Sequence, residues 1–162
     1  MRQSINKKKA FIWGLVAYLI NMVVGNLLYM NPIVMELYGQ YGDHPSIKPM
    51  SAFGGMANWL ITNSLFSTVF MTAVIILFIV LYQSLPGKGW IKGLSFGFII
   101  ILIKAIPEAF NQFMLFVYPI ELILIQLINS SISIPIFLIV LALFYSKFKV
   151  IESTKEANNG TR

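Results

Sequence analysis

Long apolar runs alternate with short polar interruptions along this chain, and the lengths of the runs decide its class. Ala10–Met30 and Met56–Tyr82 each reach the roughly 20 residues that a membrane-crossing helix needs. Between them lies Asn31–Gly55, a polar connection carrying Pro32, Pro45 and Pro49. The second run ends in Gln83–Gly89, where the breaker pair Pro86-Gly87 predicts a tight turn. From Trp90 to Tyr145 there is no comparable gap. That stretch is far too long for one crossing of a hydrocarbon core about 30 Å thick at about 1.5 Å per residue. Its least apolar window is Asn111–Pro119, which marks the cut between a third and a fourth helix.

The pattern therefore predicts an all-α integral membrane protein, a small bundle of four antiparallel transmembrane helices. Their expected spans are about 10–30, 56–82, 90–116 and 120–145, with an outer loop over 31–55 and a polar tail over 146–162. Asn31 before Pro32 suits the cap and first position of a short interfacial helix through PIVMELY. An irregular loop is the alternative for that segment. The start MRQSINKKK followed by an apolar run also resembles a signal peptide. The run is too long for one and no A-x-A-like site follows it, so an uncleaved first helix is expected.

Composition agrees. The 162 residues are 57% hydrophobic and only 11% charged, against about 25% charged in soluble domains. The net charge of +6 does not indicate nucleic acid, because the charges gather at the ends of the apolar runs. Arg2, Lys7, Lys8, Lys9, Lys88, Lys92, Lys147, Lys149, Lys155 and Arg162 fall on one side, leaving Lys48 and Lys104 for the other half. Both termini should then be cytoplasmic, in a cell (plasma or inner) membrane. Trp13, Tyr82, Trp90 and Tyr145 fit an inner aromatic belt, and Tyr29, Trp59 and Tyr118 an outer one.

Candidate chemistry centres on Ile99–Phe113, where Lys104, Pro107 and Glu108 interrupt apolar sequence. Lys104 and Glu108 are four apart and share a helix face. A charge deep in a bilayer costs about 2.5–3.5 kcal/mol on insertion scales and marks a functional candidate. Counting rise per residue, Lys104 lies roughly 12 Å below the outer edge, Asn21 about 14 Å and Asn63 about 10 Å. Gln126 and Asn129 fall roughly 9 and 13 Å deep on the fourth helix. Gly93, Gly97, Lys104, Glu108 and Asn111 form one expected stripe, and Leu122, Gln126, Asn129 and Ser133 another. Pro107 and Pro135 free the carbonyls of Ile103 and Ser131.

The expected site is an outward-facing polar pocket of Lys104, Glu108, Gln126, Asn129, Asn21 and Asn63, with Glu121 near its mouth. It would bind or move a small polar or anionic solute or a lipid headgroup. The same groups could instead serve only to satisfy one another and set helix register. A third reading is a non-catalytic assembly subunit, using glycine seams such as Gly93-x-x-x-Gly97 to hold a partner membrane protein or a second copy.

No catalytic constellation is visible. Cysteine is absent and His44 is the sole histidine, so Fe–S, Cys-based zinc and bis-histidine haem sites are excluded. No cofactor or metal is expected, and the bilayer itself is the one certain partner. Glu108 and Glu121 could converge across the outer connection, but two carboxylates name no reaction.

Overall fold

The computed structural model describes residues 3–153. Arg2, Lys155, Arg162, the Asn159-Gly160-Thr161 triplet and the rest of the tail beyond 153 lie outside the described residues. In chain order come strand β1 (Gln3–Ile5), helix α1 (Lys7–Tyr29), helix α2 (Pro32–Gln40) and a 3₁₀ turn (Met50–Phe53). Helix α3 (Met56–Leu81) follows, then α4 (Trp90–Ile100), a π-helical turn (Ile101–Ala105) and α5 (Ile106–Leu115). The chain closes with α6 (Ile120–Lys147) and strand β2 (Ile151–Ser153). Among the described residues four helices are long and apolar enough to cross a membrane: α1, α3, the continuous Trp90–Leu115 rod, and α6.

Side-chain caps fix several boundaries. Asn6 accepts the Lys9 amide at 3.0 Å and starts α1. Asn31 closes α1 and opens α2: its Nδ2 donates to the Leu28 carbonyl at 2.8 Å, and its Oδ1 accepts the Val34 amide at 3.1 Å. Pro32, which has no amide to satisfy, occupies the first helical position. The segment Pro32–Gln40 is thus a helix and not an irregular loop. After α3, Lys92 donates to the Tyr82 and Leu85 carbonyls and holds the turn closed.

α6 is the centre of the packing. Gly93 and Gly97 bring α4 onto its backbone: a Cβ on Gly93 would collide with the Leu138 carbonyl, and one on Gly97 would stand 3.0 Å from Pro135 Cα. The Gly-x-x-x-Gly seam is therefore used inside the molecule. On the other flank α1 offers buried Ala10, Gly14 and Ala17, and the Tyr145 hydroxyl donates to the Ala10 carbonyl at 2.9 Å. α3 joins through Phe78, whose buried ring lies 5.5 Å from Phe96 and 5.9 Å from Tyr145. With Phe137, Leu138 and Leu141 these rings form a dense plug toward the end of the bundle where β1 and β2 lie. Towards its own start α3 loosens, and Leu60, Ile61, Leu65, Phe66 and Val69 are all exposed.

One feature has no counterpart in the expected all-helical layout. β1 and β2 pair antiparallel, with Gln3 opposite Ser153, Ser4 opposite Glu152 and Ile5 opposite Ile151. The Asn6 amide extends the pairing to the Val150 carbonyl at 3.0 Å. Leading into it, α6 ends with Lys149 at φ 47°, the Val150 amide on the Tyr145 carbonyl at 3.0 Å and the Lys149 amide on that of Ser146 at 3.4 Å. That is a Schellman ending with lysine where glycine is usual. Within the span expected as a polar tail, α6 thus continues to Lys147 and β2 occupies Ile151–Ser153.

Candidate functional site

Along the Trp90–Leu115 rod the buried face changes register. Gly93, Phe96, Gly97 and Ile100 are buried in α4, and an unbroken α-helix would continue that face at 104, 108 and 111. Instead Ala105 is the buried residue, and Ala109 and Gln112 continue the inward face. The π turn is the cause. The Ile106 amide bonds to the Ile101 carbonyl, five residues back, which accommodates one residue more than an α-turn would. It directly precedes Pro107, whose ring would press on the Ile103 carbonyl in regular α geometry, and π adjustments are how helices absorb such a proline. Asn111, expected on the inward stripe, is exposed.

This rotation leaves Lys104 and Glu108 at the rim of a cavity, not at its back. The cavity has a volume of about 220 Å³ and is lined by Tyr29, Tyr38, Lys104, Ala105, Glu108, Ala109, Gln112, Ile123, Gln126, Leu127 and Ser130. Its walls come from α1, α2, the π turn, α5 and α6, and α3 contributes none. Lys104 Nζ donates to Glu108 Oε2 at 2.8 Å, with the two side chains 37% and 53% exposed. The same amine stands 5.2 Å from the centroid of the Phe70 ring of α3, a cation–π contact beneath the pair.

The neutral lining is largely bonded to itself. Gln126 Nε2 donates to the Tyr38 hydroxyl at 2.7 Å and the Tyr118 hydroxyl at 3.2 Å. The hydroxyls of Tyr29 and Ser130 share a bond at 3.1 Å. Burial pushes the Tyr118 phenol above its ordinary 10.0, helped by Tyr38 and opposed by the Gln126 bond. Tyr38 thus turns inward to Gln126.

Of the residues singled out from sequence, Lys104, Glu108 and Gln126 meet in this cavity. Asn129 is buried beside it, donating to the Leu28 carbonyl at 3.0 Å, where it completes the end of α1 with Asn31. Asn21 Oδ1 is buried without a hydrogen-bond partner among the described residues and outside the lining. Asn63 is exposed on α3. Glu121 lies outside the lining, and its interaction with Tyr41, ahead of burial, lifts that phenol above 10.0. Glu108 and Glu121 therefore have separate partners. His44 Nδ1 accepts the Ser46 amide at 3.2 Å.

Sequence reasoning missed Tyr29, Tyr38, Gln112 and Ser130. The signal for Ser130 was present: Ile123, Gln126, Leu127 and Ser130 follow the 3, 4, 7 spacing of one helix face, offset by one from the chosen stripe. Gln112 was hidden by the π turn. No protein-family model, curated protein or solved structure matches this chain, so its function is read from the cavity.

Proposed function

We propose that this chain is a four-span protein of the plasma membrane that binds a small polar or anionic solute, or a lipid headgroup, in the cavity beside Lys104 and Glu108. The ion pair at the cavity rim is the observation that carries the reading. A charged pair that only fixed helix register would do so best when fully enclosed; this one borders open volume. Antiparallel spans are supported by the contacts Ala10–Tyr145 and Leu28–Asn129 between α1 and α6. Cytoplasmic termini are supported by Lys7, Lys8, Lys9, Lys147 and Lys149 gathering where β1 and β2 pair. In that frame the cavity belongs to the outer half.

The role is binding and not conduction. Below the cavity the Phe78, Phe96, Phe137, Leu138 and Tyr145 plug is continuous and apolar, leaving no polar exit to the inner side. Catalysis lacks a nucleophile set.

Thermal shift of the purified protein against a panel of metabolites and lipids tests the proposal. A panel compound should stabilise the wild type, and K104M and the cavity-filling A109F should each remove that shift. A hit that persists unchanged in both variants overturns the cavity as the site. The second reading, an assembly subunit, is favoured by the exposed Asn63 amide on the loosely packed start of α3, a group that bonds partner helices in membranes.

A further inference from the structure

We propose that the ligand of this cavity is a zwitterionic phospholipid head, an ammonium and a phosphodiester on one small group; this rests on the binding role assigned above and narrows its ligand class. Among the described residues, Lys104 and Glu108 are the only charged side chains in the lining, so these walls carry no net charge. An anion bound at Lys104 also meets Glu108, and a cation bound at Glu108 also meets Lys104. In either case the like charge of the pair opposes binding of a simple ion. A zwitterion avoids both penalties. Its phosphate takes Lys104 while its ammonium takes Glu108, and the site remains neutral throughout, which matters most in weakly polar surroundings.

Unused bonding capacity points to the same pair. The amides and hydroxyls of Gln126, Tyr38, Tyr29 and Ser130 are already bonded to one another or to Tyr118. Lys104 has three ammonium donors and spends one, and Glu108 spends Oε2 and leaves Oε1 open, counting partners among the described residues. The Gln112 amide and Gln126 Oε1 remain open to a neutral solute, but the open charged donors and acceptor are those of Lys104 and Glu108, which suit a zwitterion. Tyr29 and Tyr38 stand in the same lining, and aromatic rings are favourable neighbours for an ammonium.

Two sources present this head. As phosphatidylethanolamine it comes from the bilayer; as glycerophosphoethanolamine it comes from water. Native mass spectrometry of the full chain, released from detergent after titration with each, and with phosphatidylglycerol, separates them. Phosphatidylethanolamine should be retained at least tenfold better than phosphatidylglycerol. K104M and E108Q should each lose that preference. The swapped double variant K104E/E108K rebuilds a neutral pair in the favourable Glu-to-Lys order and should regain it, showing that the single variants had not merely misfolded.

Glycerophosphoethanolamine that displaces the lipid at matched concentration supports the head chemistry and makes water a source. Failure to displace it supports the lipid as sole source. Equal retention of phosphatidylglycerol, or unchanged preference in both single variants, overturns the zwitterion. If A109F still abolishes binding of some other panel compound, the cavity stands and only this ligand class falls. If A109F affects nothing, the cavity reading falls with it.

Discussion

Gly93 leaves α4 no side chain where the Leu138 carbonyl of α6 passes, so two backbones meet at a point where even a methyl group has no room. Gly25 on α1 has nothing within 4 Å of the equivalent position. Gly93→Ala should lower stability by about 1–3 kcal/mol through overpacking. Gly25→Ala should be neutral or slightly stabilising through helix propensity. Thermal unfolding followed by circular dichroism in one detergent checks the pair. Equal effects at both sites would show that the α4–α6 contact is looser than described. At this scale the sequence was informative about chemistry and less so about direction. Lys104, Glu108 and Gln126 could be picked out because polar residues in apolar helices are costly. Whether an amide lines a cavity, as Gln126 does, or closes a neighbouring helix, as Asn129 does, depends on the turn of one helix against another.

Among the elements, the boundaries were legible wherever proline, asparagine or a polar window interrupts the apolar pattern. The Asn31-Pro32 start of α2 and the gap between α5 and α6 are examples. The π turn was not legible, because apolar residues on both sides of it read alike in either helix type. That one turn moved the inward face from Asn111 to Gln112 and set the ion pair at the rim. The end of α6 was missed for another reason: its Schellman geometry uses Lys149 at φ 47° and carries no glycine to announce it. A left-handed conformation costs a residue with a Cβ about 1–2 kcal/mol. Lys149→Gly should therefore stabilise the protein, by up to about 1 kcal/mol after the added freedom of glycine in the unfolded chain is subtracted. A lower melting temperature for this variant would mean that the lysine side chain supports the helix end in a way that outweighs the backbone.

For the molecule as a whole, the joining of its two ends is the property that hydropathy could not reveal. Three-residue strands lie below the length at which alternation is readable, and their partners are at opposite ends of the sequence. Facing Cα atoms in an antiparallel pair stand about 4.5–5.5 Å apart, within the disulfide range of about 4.4–6.8 Å. With no native cysteine to interfere, the double variant Ser4→Cys/Glu152→Cys should oxidise within one molecule and leave no thiol for maleimide. Ser4→Cys/Ile151→Cys, one residue out of register, should take up two labels. Intact-mass measurement reads both outcomes, and the reverse pattern would refute the pairing.

The central place of α6 also has a consequence for biosynthesis. Helices α1 and α4 both seat on α6, which leaves the ribosome after them, and Ala10 waits for a partner 135 residues downstream. At roughly 5–20 residues per second that delay is on the order of 7–27 s. Throughout it the small-residue face of α1 and the glycines of α4 have nothing to grip, so a nascent chain stalled before α6 is a loose set of helices exposed to quality-control proteases.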